Sequence, residues 1–316
     1  MPQFIHRRRF LRRSLQGALT LAALGLGGTS AVRAIEPIQR TGGPRLLPGL
    51  AAYSFRDYFI HAGHERERRP PPAQQIDLRQ FIDFCAQHAC IGAELTSYYF
   101  PPDTDDAYLL QLKRHAFLRG VEISGSAVGN RFTLPAGPDR DREIAGVKRW
   151  IDRAAVMGAP HLRVFAGAAG DLTPKEAKRL CLEALEECCD HAGKRGVMLG
   201  LENHGGIVAE AADLLELVQS VKSPWLGINL DTGNFHTTDP YGDLSRCAPY
   251  AVNVQIKVEI QPRGKSREPA DMPRLLGMLR DAGYQGYVIL EYEAAEDPWT
   301  AVPEALRKLR ELIEPA

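Results

Sequence analysis

The chain has little that would hold it in a bilayer, since its longest apolar run, "LQGALTLAALGLGG", is 14 residues and contains glycine. A spanning helix needs roughly 18 or more. Cysteine is sparse, at positions 85, 90, 181, 188, 189 and 247. None has the CxxC spacing of a zinc site, and Cys188 and Cys189 are neighbours in a helical pattern, so these residues read as free, mostly buried thiols. The turn after the first strand pattern lacks GxGxxG, which argues against an open dinucleotide-binding sheet. A basic excess is missing as well. The first 34 residues hold six arginines and no acid, and setting them aside leaves 33 Lys and Arg against 39 Asp and Glu. The densest charged run, "HERERRPPPA", mixes signs, so nucleic acid is not an expected partner.

Those first 34 residues have the order of an export leader: a basic start, a short apolar run and the small-residue pattern "AVRA". Within "RRRFLRR" the order resembles the twin-arginine signal RRxFLK, with Arg in the Lys position. The expectation is a signal peptide over 1–34, an amino-terminal extension over 35–49, and a barrel domain over 50–316. The mature protein would be periplasmic, with no stable membrane insertion. Export of an already folded chain suits cysteines that need no oxidation.

From residue 50 one theme repeats: a short apolar or alternating run, a Gly- or Asn-bearing turn, then a helical pattern. Strands are expected at 50–55, 92–98, 121–128, 161–167, 197–203, 225–231, 252–259 and 287–293. The intervening helices are expected at 76–89, 104–119, 139–157, 173–196, 208–221, 240–248, 270–282 and 298–313. In the fourth, Thr173 caps, Pro174 takes the first turn, Glu176 completes a capping box, and Gly193 and Gly196 close the helix. Eight strands alternating with eight helices predict an α/β protein, a single-domain (β/α)8 TIM barrel preceded by the leader. The insertion "YFIHAGHERERRPPPAQQ" is long for a βα loop and reads as a flap at the mouth.

The stretch "AVNVQIKVEI" alternates without interruption, with Asn253, Gln255, Lys257 and Glu259 on its polar face. In a half-buried antiparallel strand that face would meet water; in a barrel it points inward. Read the same way, Glu202, Asp231, Gln255 and Glu291 fall near the carboxyl ends of four successive strands, which converge on one pocket in a barrel. Four oxygen donors, three of them anionic, ask for a cation, because unneutralised carboxylates at close range raise one another's pKa.

The segments "GLENHGG", "NLDTGN", "VNVQIKVEI" and "GYQGYVILEYEAAEDP" resemble the xylose isomerase-like TIM barrels, the sugar phosphate isomerase/epimerase family that includes ketose 3-epimerases and inosose dehydratases. The resemblance spans about 50–313. It implies a divalent metal held by Glu202, Asp231, Gln255 and Glu291, with Gln255 standing where the family carries His. A neutral, hard amide oxygen favours Mn or Mg over Zn. It also implies a sugar or keto-sugar substrate, with Glu202 and Glu291 as base and acid through an enediolate. The outcome is epimerisation or isomerisation, or elimination as in a lyase.

Around that centre, His204 and Asn234 are candidate substrate contacts that could equally be loop residues fixing backbone. Glu94 and Arg163 point inward and either meet substrate or pair with each other. Lys257 is an electrostatic contact to substrate oxygens, with a Schiff-base lysine as its rival, disfavoured because nearby carboxylates keep it protonated. His236 reads as an ordinary loop residue. A silent sugar-binding barrel is the reading from another class, motivated by Gln255. An endonuclease IV-like reading would need more His ligands and a basic face. Homo-oligomerisation is compatible with the sequence.

Overall fold

The computed structural model describes residues 35–64 and 70–314; the expected leader, and the centre of the expected flap, lie outside them. Ten strands and eight α-helices run in chain order through the described residues. They are β1 Arg45–Ala51, α1 Leu78–Gln87, β2 Gly92–Thr96, α2 Asp106–Leu118, β3 Glu122–Ala127, α3 Pro138–Met157, β4 His161–Val164, α4 Pro174–Arg195 and β5 Met198–Glu202. There follow α5 Ala211–Ser220, β6 Leu226–Asp231, α6 Pro240–Cys247, β7 Ala251–Ile256, β8 Glu259–Ile260, β9 Glu268–Pro269, α7 Met272–Asp281, β10 Gln285–Leu290 and α8 Pro298–Ile313. Eight strands close a parallel barrel in the order β1-β10-β7-β6-β5-β4-β3-β2, while β8 and β9 pair as a separate antiparallel hairpin. The (β/α)8 expectation is met. No helix among the described residues is long and apolar enough to cross a membrane.

Alternation sorts each strand between two cores. Leu199 and Leu201 of β5, Ile228 and Leu230 of β6, and Val254 and Ile256 of β7 are fully buried, on the face that meets the surrounding helices. The other face turns into the barrel. Helix ends follow local chemistry: Asp77 and Gln80 exchange side-chain and backbone bonds in a capping box at α1. At α4 Thr173 accepts from the Glu176 N–H, and Gly196, at φ 71°, ends the helix in the left-handed conformation that glycine tolerates. Gly193 does not close α4; it lies inside it against the Trp225 ring. All six cysteines are free and buried.

Two boundaries depart from expectation for physical reasons. The first strand begins at Arg45 rather than residue 50, and Ala52–Phe55 is a 3-10 turn. Pro48 hides this strand in the sequence, because proline lacks the N–H a ladder needs. Its carbonyl accepts from Ile91 N, so its missing donor points to the β2 side, where pairing starts only at Gly49–Gly92. The alternation of 251–260 is real, but β7 stops at Ile256; Lys257 and Val258 carry the chain out of the barrel into the β8–β9 hairpin. Beside the flap, the bridge Phe59–Ile76 draws the insertion's ends together, and Phe59 stacks on Tyr99 at 4.2 Å.

Gly125 in β3 leaves room for the His161 ring of β4, into which a Cβ at 125 would run. Gly125→Ala is expected to destabilise the chain by about 1–3 kcal/mol through overpacking, read as a lower urea midpoint. An unchanged midpoint would show that this interior layer has room to spare.

Candidate active site

The polar face of β7 looks into the barrel and is tied into a ring of hydrogen bonds. Asn253 Nδ2 donates to Asn229 Oδ1 at 2.8 Å and to Glu94 Oε2 at 3.0 Å. Asn229 Nδ2 donates to Gln255 Oε1 at 2.7 Å, and Gln255 Nε2 donates to Glu94 Oε1 at 2.7 Å. Both Glu94 oxygens therefore accept. Burial pushes this carboxyl up to about 7, against the opposing influence of Arg163 and of the amide donors.

Above this ring lie two cations and their carboxyl groups. Arg163 Nε sits 2.9 Å from Glu202 Oε2, its Nη1 donates to Val128 O at 2.9 Å, and its guanidinium lies 3.9 Å from the centre of the Phe165 ring. The other Glu202 oxygen accepts from Asn234 Nδ2 at 2.9 Å and lies 2.8 Å from His204 Nδ1. Burial works to raise the Glu202 carboxyl, but Arg163, His204 and Lys257 together outweigh it and hold the group below its ordinary range.

Lys257 Nζ lies 3.2 Å from Asp231 Oδ2, 3.2 Å from Glu291 Oε2, and in contact with Glu293 Oε2. Burial would strip its proton, yet these three neighbours hold the ammonium well above its usual pKa. Burial raises Asp231 to about 6 despite Lys257 and the Gly233 N–H. Burial also drives Glu291 well up; repulsion from Glu293, Asp231 and Glu202 adds to it against the pull of Lys257. The site thus holds two carboxyl groups pushed in opposite directions, Glu202 down and Glu291 up.

Short side chains hold these groups at the strand ends. Asn203 Nδ2 donates to Asp231 O at 2.8 Å and its Oδ1 accepts from Asp231 N at 2.9 Å. Thr232 Oγ1 accepts the Lys257 N–H at 2.8 Å. Asn203, Asn229, Asn253 and Glu293 were not singled out as site residues from sequence. The signal for Asn253 and Glu293 was their place on a polar face; Asn203, on the opposite parity from Glu202, gave none. Of the expected residues, Glu202, His204, Asn234 and Arg163 meet one another, and Asp231, Glu291 and Lys257 meet one another. Glu94 pairs with Gln255 and Asn253 in the ring. A cavity of about 480 Å³ at the mouth is lined by Tyr53, Arg56, Tyr292 and Glu293 among others. Glu293 also lines a smaller one of about 70 Å³ that reaches Lys257 and Asn234.

The expected metal set does not fit a divalent ion as arranged. Gln255 spends its amide oxygen on Asn229 and its nitrogen on Glu94. Both Glu202 oxygens have partners, and Asp231 Oδ1 accepts from Gly233 N. Asp231 Oδ2, buried and without a hydrogen-bond donor, faces the Lys257 ammonium, as does Glu291. Among the described residues no group of three or more His, Cys, Asp or Glu side chains is placed to hold a metal. An ammonium occupies the position between the acids.

A family model described as xylose isomerase-like TIM barrel matches residues 82–312. A Xenopus laevis protein named "Putative hydroxypyruvate isomerase" is 26% identical over 192 residues, covering 55% of this chain and 69% of the relative. The crystal structure of 3-keto-D-glucoside 4-epimerase from E. coli superposes with a TM-score of 0.62 at 16% identity, over 84% of this chain and 99% of that one. The IOLI protein with a binding zinc atom superposes with a TM-score of 0.67 at 17% identity, over 84% and 96%. These two structures share the fold.

Glu94 gives the site a pH signature. Its folded pKa of about 7 stands above the ordinary 4.5, so the folded chain holds this proton more tightly than the unfolded one. The resulting stabilisation is complete below about pH 4.5 and is lost as pH rises through about 7, amounting to about 3 kcal/mol. The unfolding free energy of the wild type minus that of Glu94→Gln is expected to fall by that amount between those values. Groups with no interaction with Glu94 cancel in this difference. A difference that stays flat with pH would refute the assignment.

Proposed function

We propose, from the premise that the chain belongs to the xylose isomerase-like TIM barrel family, that it is an isomerase or epimerase acting on a small carbohydrate or keto-sugar by moving a proton at the carbon beside a carbonyl. The observation that carries this reading is the pair Glu202 and Glu291, one against Arg163 at 2.9 Å and shifted down, the other 3.2 Å from the buried Lys257 ammonium and shifted up. Groups whose environments push their pKa values apart suit the two ends of a proton transfer. The names of the Xenopus relative, an isomerase, and of the E. coli neighbour, an epimerase, accord with chemistry of this kind.

In the proposed reaction Glu202 takes the proton from carbon, oriented by Arg163, His204 and Asn234, while Lys257 donates to the oxygen on which negative charge develops. A preorganised donor in a water-poor site stabilises such charge without having to reorganise. Glu291 supplies the proton that completes the transfer. Return to the opposite face of the same carbon gives an epimer, and delivery to the neighbouring carbon gives an isomer. No step is assigned to a divalent ion, because Gln255 and Glu202 spend their oxygens on other partners and Asp231 and Glu291 face the Lys257 ammonium. The mouth cavity bordered by Glu293 has the size of a small-ligand pocket.

We also propose export by the twin-arginine route, on the strength of "RRRFLRR" alone. Replacing Arg7 and Arg8 by Lys is expected to strand the protein in the cytosol; equal periplasmic yields from both versions would exclude that route.

In deuterated water an active substrate, sought in a panel of keto-sugars and small hydroxycarbonyl compounds, is expected to gain solvent deuterium at the reacting carbon. Glu202→Gln and Glu291→Gln are each expected to lower turnover by about a hundred-fold or more. Conversion with no deuterium gained under any condition would point to hydride transfer instead. A folded protein that binds but never converts such compounds would favour a silent sugar-binding barrel.

A further inference from the structure

The cation position of this barrel is filled by the chain itself. Lys257 Nζ reaches three carboxyl groups on two segments: Asp231 at the end of β6, and Glu291 and Glu293 just past β10. Its hydrogen bond goes to Glu293, and Asp231 and Glu291 stand at ion-pair distance, 3.2 Å each. The residue is 7% exposed, so it is a fixed part of the site rather than a surface side chain that swings in.

The backbone and the neighbouring glycine hold it there. Lys257 N is bound by Thr232 Oγ1, and Thr232 N by Gln255 O at 2.9 Å. The start of the aliphatic stem runs across Gly233, where a Cβ would come within 2.7 Å of Lys257 Cγ. Glycine at 233 therefore clears the channel along which the stem reaches the acids. Glu202 is served by a separate cation, Arg163, and Gln255 by the amide ring. Of the oxygens left to gather a divalent ion, Lys257 already touches Asp231 Oδ2, Glu291 Oε2 and Glu293 Oε2.

We infer that the Lys257 ammonium is the resident cation of this active site, standing between Asp231, Glu291 and Glu293 where a divalent metal would otherwise collect them, and that the chain works with an organic cation in place of a metal. This rests on the proposed function only for the location of the site. Lys257 and a metal compete for the same oxygens, so removing the ammonium uncovers a latent metal site of three carboxylates. Oxygen ligands with such a charge count suit Mn and Mg.

The test reads metal binding, which does not depend on whether a sugar is ever found. The full chain is dialysed against chelator, then titrated with Mn²⁺ by calorimetry, with bound metal counted by elemental analysis and thermal midpoints recorded with and without the ion. Wild type and Lys257→Arg are expected to retain no stoichiometric Mn²⁺ and to show no shift in midpoint. Lys257→Met and the smaller Lys257→Gln are expected to bind about one Mn²⁺ per chain, about a hundred-fold or more tighter than wild type, and to be stabilised by it. The added Asp231→Asn change is expected to abolish that gain. A tightly held ion in the wild type, or folded Lys257 variants with no new affinity, would overturn the inference. Should neither variant fold, with or without Mn²⁺, the wild-type titration decides: one tightly bound ion per chain refutes the resident ammonium, and none supports it. Loss of turnover with these binding results intact would indict the proposed reaction and leave the resident cation standing.

Discussion

Five acidic side chains, Glu94, Glu202, Asp231, Glu291 and Glu293, converge on one end of the barrel, four of them almost wholly buried, and balancing their charge constrains every other choice in the site. Two cations are built in. Arg163 serves Glu202, and Lys257 serves Asp231, Glu291 and Glu293. The acids outnumber these cations, and burial lifts Glu94 to about 7 and Glu291 well above its ordinary range while Arg163 helps to hold Glu202 below its own. Burying an unpaired charge costs far more than holding a proton. The opposite directions in which Glu202 and Glu291 are pushed follow from where the two cations stand.

Such a balance needs positions fixed to a fraction of an ångström beyond the ends of the strands, where ladder pairing has stopped. The chain solves this with short side chains that imitate a neighbouring strand. Asn203 bonds both the N–H and the carbonyl of Asp231. Asn130 does the same for Phe165, just past β4, through two bonds of 2.8 Å, so that the ring under Arg163 is held. Ser54 accepts from Tyr292 N at 2.9 Å, continuing β10 past Glu291. Each replaces one or two ladder bonds with a residue that carries its own donor and acceptor.

Much of this was legible. Period-two order separates Val254 and Ile256, which meet the helices, from Asn253 and Gln255, which meet the barrel interior, and strand count gives closure. What alternation cannot supply is partnership. It places Gln255 and Glu291 on inward faces but not at different levels, one joined to Glu94 and the other to Lys257. Lys257 itself follows the last residue of β7, where the chain leaves the barrel, so its reach depends on a bend and on the space above Gly233 rather than on any pattern. Strand β1 was read five residues late because Pro48 and Gly49 look like a turn until the ladder on either side is known. Asn203 was invisible since its side chain serves a backbone 28 residues away.

The amide at 255 is the residue through which this barrel departs from the metal-binding pattern that its sequence resembles, and the ring explains what an amide does there. Gln255 must accept from Asn229 and donate to Glu94 from the same end of one side chain. A carboxylate would set an acceptor against Glu94, and an imidazole carries its donor and acceptor on separate edges of the ring. An amide satisfies both. With Asn253 donating to Asn229 as well as to Glu94, the donors pass between β7 and β6 and end on a single acceptor, Glu94 of β2. The ring therefore fixes the Glu94 carboxyl beneath the site and turns Gln255 away from the mouth. That leaves charge compensation at the mouth to a cation that reaches it from elsewhere, and in this chain that cation is Lys257.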